Sequence, residues 1–186
     1  LTATANSGRT VLGTINSSDD AMTFGTITLG AATTLDTQAA TTAGDLTIGD
    51  VTGAGFGLTL DTGHVALADI SGGAVTSAGA TLTIRDAGTA TFTGAVNVGV
   101  GTVAITDALT AVNFQGAITA ATLTVPAGTA AYNFSSTGTG GTITNAVTFA
   151  NTGTLTLGQA AGTQTYNGGL TATANSGRTV LGTINS

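Results

Sequence analysis

The feature that most constrains this chain is a short run, repeated many times, in which apolar residues alternate with small polar ones before a Gly, Asp or Pro ends it. Ile27 and Leu29 stand in "GTITLG", Leu46 and Ile48 in "DLTIGD", and Leu58 and Leu60 in "GLTLDTG". Leu82 and Ile84, Val96 and Val98, Val103 and Ile105, Leu123 and Val125, and Leu155 and Leu157 repeat the arrangement. Apolar residues two apart face one side of an extended strand, and the residues between them face the other. Thr, Val and Ile suit a pleated surface, and the 29 glycines provide the turns. Glu and Lys are absent, so two of the strongest helix formers are missing. The expected fold class is all-β.

The strands are short, and large side chains are few. Only 4% of the 186 residues are aromatic, with no Trp and six Phe. A two-sheet sandwich core is usually filled by larger groups, so a thin core of Val, Leu, Ile and Ala is expected. That requirement points to a parallel β-solenoid (β-helix), in which each coil stacks on the one before. Ile27, Leu46, Val65, Ile84, Val103, Leu123 and Ile143 recur at 19 or 20 positions. That spacing predicts coils of about 20 residues.

A second pattern is longer. "LTATANSGRTVLGTINS" occupies Leu1 to Ser17 and again Leu170 to Ser186. Residues 1–169 read as one solenoid period of roughly eight coils, and 170–186 as the start of the next. Neither copy has the polar character of a capping coil. The expectation is an uncapped segment of a longer filament, stacking on itself head-to-tail and packing side by side.

Composition removes several functions. Net charge is −6 with three Arg, which disfavours nucleic acid. Mean hydropathy is +0.40, yet polar residues interrupt every apolar stretch, so no membrane span is expected in this segment. With no Cys, thiolate metal sites are excluded.

Candidate sites are sparse. His64, the single histidine, follows Asp61 in "DTGHVAL" and invites a metal or catalytic pair, but a turn role explains it as well. "INSSDD", ending at Asp19 and Asp20, has the oxygen donors for calcium, though Asp is also an ordinary turn residue. Asp19, Asp20, His64 and Arg85 supply residue types for glycoside cleavage without a recognisable order or spacing. Asn113, Asn133 and Asn145 suggest Asn ladders in turns. No catalytic, cofactor-binding or metal residue is assigned, no cofactor is expected, and an enzyme is not expected. The T-x-T tripeptides Thr26/Thr28, Thr81/Thr83, Thr122/Thr124, Thr142/Thr144 and Thr154/Thr156 resemble the flat Thr ladders of ice-binding solenoids, which implies a face that engages ice or glycans, though Thr also simply suits outward strand positions. In the 19–20-residue register that ladder is interrupted by Asp45, His64 and Ala104.

The stretch "TGTLTLGQAAGTQTYNGGLTATA", Thr152 to Ala174, resembles the short strand repeats of autotransporter passengers through Gly153 to Leu157 and Thr165 to Gly169. More loosely, the chain resembles bacterial surface β-helix proteins, including filamentous-haemagglutinin-like adhesins. The resemblance implies a secreted right-handed β-helix at the cell surface, serving as a fibre, sheath or adhesin stalk, and it brings no catalytic residues.

Overall fold

The computed structural model describes residues 1–3, 9–38 and 43–186. Every strand pair among them is parallel and no helix is present, so the chain is a β-solenoid. One face is a nine-stranded sheet running from Thr2–Ala3 and Met22–Phe24 to Thr154–Leu157 and Gly177–Val180. Nine strands make eight steps, a rise of about 40 Å at ~4.8 Å per step. A thirteen-stranded sheet forms the other two faces, because the long strand Ile27–Asp36 turns a corner. Its Ile27–Thr28 end pairs with Val51–Thr52, and its Thr33–Asp36 end pairs with Leu58–Asp61. The third face continues through the Val125–Phe149 bridge to Val147–Thr148 and Leu170–Thr171. Each coil therefore visits the first, second and third faces in order.

All sixteen apolar residues of the alternating runs are buried, which the period-two pattern predicts. The predicted register is corrected. On the first face, Met22, Leu46, Ile70, Ala90, Val112, Phe134, Leu155 and Arg178 are stacked partners, at intervals of 20 to 24 positions. Ile27 stacks on Val51 rather than Leu46, Val65 lies in a corner, and only Val103 and Leu123 are true partners in the predicted series. The physical reason is the corner between the third and first faces. It is long after Asp61 and short after Asp86, so coil length varies and no fixed spacing holds the register.

The core also departs from expectation. Its early coils hold Met, Leu, Ile and Val with the single ring of Phe24, whereas later ones hold a column of rings. Phe92 and Phe114 stack with centroids 5.4 Å apart, and Phe134, Phe149 and Tyr166 continue the chain of contacts through all three faces. Gly72 makes room for the first ring, because a Cβ there would sit 2.6 Å from Phe92 Cδ1. Glycines at the corner between the first and second faces stack too. A Cβ on Gly116 or Gly138 would strike the carbonyl one coil before, so the close approach of backbones selects glycine there.

The two identical seventeen-residue copies occupy different phases. In the first, Thr2–Ala3 lies on the first face and Arg9–Asn16 spans the second and third. In the second, Leu170–Thr171 lies on the third face, Gly177–Val180 on the first and Thr183–Asn185 on the second. Residues 4–8 of the first copy lie outside the described residues. Identity of sequence here is not identity of place.

Candidate functional site

The polar side chains gather at the corner where the third face turns into the first. Asp36, Asp61 and Asp86 are register partners on successive coils, with a bulge at Arg85 before Asp86. Asp107 follows on the next coil, two residues beyond Ile105, the partner of Ile84. The local reason for aspartate is the turn. Each carboxylate Oδ1 accepts a backbone N–H just downstream: Gln38 at 2.8 Å, Gly63 at 2.9 Å, Ala87 at 3.0 Å and Ala108 at 2.8 Å. Stacking coils that each enter this corner through an Asp stacks four carboxylates.

Such a column requires cations. Arg85 bridges the first pair, with Nε 2.5 Å from Asp61 Oδ2 and Nη2 3.6 Å from Asp36 Oδ2. Asp61 is buried, so this guanidinium is its compensating charge. Arg85 does not pair with its neighbour Asp86, consistent with opposite directions along the strand. The second pair meets His64, which reaches along the stack from the preceding corner. His64 Nδ1 lies 3.1 Å from Asp86 Oδ1 and 3.8 Å from Asp107 Oδ2, and Nε2 lies 3.4 Å from Thr129 Oγ1. Thr129 donates its hydroxyl to Asp107 Oδ2 at 2.6 Å and its N–H to Asp107 Oδ1 at 3.1 Å. Its position depends on Gly128, whose φ of 76° and crowding against Tyr132 and Asp107 exclude a larger residue.

These surroundings displace the two carboxyls in opposite directions. Burial pushes Asp86 above its ordinary range, with Asp107 acting the same way, against the hydrogen bond and charge of His64 and the N–H of Ala87. Burial would also raise Asp107, but the Thr129 hydroxyl and N–H, the Ala108 N–H and His64 together hold it below the usual value.

The pairing suggested by adjacency, His64 with Asp61, does not form. His64 finds partners 22 and 43 positions away, which no local motif signals. Asp19 and Asp20 remain in an exposed turn, where Asn16 Oδ1 accepts the Ser18 N–H and Ser17 Oγ donates to the Asp20 carbonyl. They join no cluster of three donor side chains among the described residues, and they pair with neither His64 nor Arg85. The named asparagines bond to the adjacent coil without forming an Asn column. Asn113 donates to Thr91, Asn145 to Thr122, and Asn133 accepts from Thr154. The Asn–Asn contact is instead Asn175 to Asn151, buried at the polar corner.

Threonine is arranged more regularly than the predicted register implied. The second face presents Thr10, Thr28, Thr52, Thr76, Asn97, Thr119, Thr142 and Thr165 in one outward column. The third presents Thr14, Thr34, Thr59, Thr83, Ala104 and Thr124, and the first a mixed Thr and Ser column broken by Asn113. Ala104 does interrupt a ladder, whereas Asp45 and His64 belong to corners. Asp45 accepts the Asp69 N–H, and Asp69 accepts the Thr89 N–H, each stapling a coil to the next. A Thr array two columns wide occurs where Thr81, Thr102 and Thr122 run beside Thr83 and Thr124. An open groove of about 630 Å³ adjoins it at Leu123, Pro126 and Thr148.

No family model, curated protein or solved structure matches this chain. No helix among the described residues is long and apolar enough to cross a membrane.

Proposed function

We propose that this chain is a structural repeat segment of an extracellular bacterial fibre, sheath or adhesin stalk, stacking end to end into a continuous β-solenoid. The observation that carries the reading is uniformity of cross-section. Coil after coil repeats three parallel strands, an apolar interior and a polar staple at the same corner. Such a stack gains stability with length through nearest-neighbour contacts, and an open edge of any such stack offers unpaired backbone groups to a further strand. A contact between unlike ends that does not close gives an open filament. The surface location rests on the resemblance to secreted bacterial β-helix proteins.

Sedimentation and electron microscopy of the purified chain at rising concentration test the assembly. Rods of constant width that lengthen with concentration are expected. A monodisperse particle one chain long at all concentrations contradicts it.

A second reading, a Thr-rich ice- or glycan-binding adhesin module, is favoured by the two-column array at Thr81, Thr83, Thr102, Thr122 and Thr124. The presence of a hydroxyl column on all three faces argues for the bland role of Thr at outward strand positions. Absence of thermal hysteresis and of binding to a glycan panel would end this second reading.

A further inference from the structure

The polar corner balances its two carboxylate pairs differently. Asp36 and Asp61 share Arg85, a permanent cation. Asp86 and Asp107, one and two coils further on, share only His64, which carries a charge only when protonated. We propose that His64, Asp86 and Asp107 form a binding site for a divalent ion of borderline softness, with Zn²⁺ as the representative.

The geometry carries the assignment. Three donor atoms from three successive coils lie within 4.8 Å of one another. Ligands on one ion at bonds of about 2.1 Å stand roughly 3.0–3.5 Å apart. Of the observed separations from His64 Nδ1, 3.1 Å to Asp86 falls within that range and 3.8 Å to Asp107 lies a few tenths of an ångström above it, which a small side-chain movement closes. An imidazole nitrogen with two carboxylate oxygens suits Zn²⁺ and its neighbours, whereas Ca²⁺ and Mg²⁺ favour all-oxygen shells. In the neutral imidazole with its proton on Nε2, facing Thr129 Oγ1, Nδ1 is free to ligate. The hydrogen bond between Nδ1 and Asp86 is then replaced by two bonds to the ion. Two carboxylates and a neutral ring carry a charge of two that a divalent cation neutralises. The side chains are 33%, 23% and 12% exposed, so an ion can enter and keep water in its remaining positions. Thr129 and Ala108 hold the Asp107 carboxylate in place from behind, as outer-shell partners do.

The test uses the untagged full chain and ZnCl₂. Calorimetric titration at neutral pH is expected to give one saturable site, with Ca²⁺ and Mg²⁺ binding at least tenfold more weakly. Thermal unfolding is expected to shift upward with Zn²⁺ and return with chelator. Because His64 is the only histidine, its imidazole resonances report the site in the unmodified protein, and Nδ1 is expected to shift on addition of Zn²⁺. His64→Ala and Asp107→Asn are each expected to weaken binding at least tenfold, and Asp20→Asn to leave it unchanged. No saturable Zn²⁺ binding, or binding that leaves the His64 resonances in place, overturns the proposal without depending on how any variant folds.

Discussion

Single side chains in this molecule are chosen by the coil above or below them. Gly72 is the clearest case. Gly72→Ala places a methyl group against the Phe92 ring, and a loss of about 1–3 kcal/mol is expected from such overpacking. The measurement is chemical denaturation, and the double variant Gly72→Ala/Phe92→Leu is expected to recover part of the loss. Arg85→Met removes the cation from buried Asp61. A cost of about 2 kcal/mol is expected, below the fully buried case because the guanidinium is half exposed. Asp61→Asn is expected to reverse much of it. The tyrosines set an alkaline limit. Burial raises both Tyr132 and Tyr166 far above the ordinary phenol value. An unfolded chain releases these protons above about pH 10, while the folded chain retains them. Stability contributed by the neutral phenols is therefore intact below pH 10 and declines as pH rises beyond it. Urea midpoints measured from pH 8 to 11 are expected to be level and then fall, with phenolate absorbance appearing only on unfolding.

Elements were legible in the sequence to the extent that their chemistry is local. Period-two alternation marked strands such as Leu46–Ile48 and Leu82 with Ile84, because face assignment needs only the strand itself. Register was not legible, since it depends on corner length, and an apolar corner residue such as Val65 reads like a strand residue. The site followed the same rule. Asp61 and His64 are close in sequence but not paired, whereas His64 and Asp107 are paired across an intervening coil. The aromatic column was hidden for that reason as well: five rings spaced irregularly in sequence become neighbours only once the coils stack. Phe114→Ala, at the middle of the parallel and tilted contacts, is expected to cost about 3–5 kcal/mol. Truncating the exposed Phe56 is expected to change stability by less than about 0.5 kcal/mol. Comparing their denaturation midpoints tests whether the rings support the stack.

For the whole molecule, the duplicated seventeen residues have a geometric consequence. The second copy begins on the third face and the first copy on the first. A chain carrying two full periods is therefore expected to rotate its His64 corner by one face between periods, which cryo-electron microscopy of such a chain would read directly. The central claim is that backbone hydrogen bonds run along the axis of a filament made by continued stacking. Fibre diffraction from aligned assemblies tests it most directly. A strong meridional reflection at ~4.8 Å is expected, since that is the separation of stacked strands. A ~4.8 Å reflection on the equator, or none at all, would contradict it.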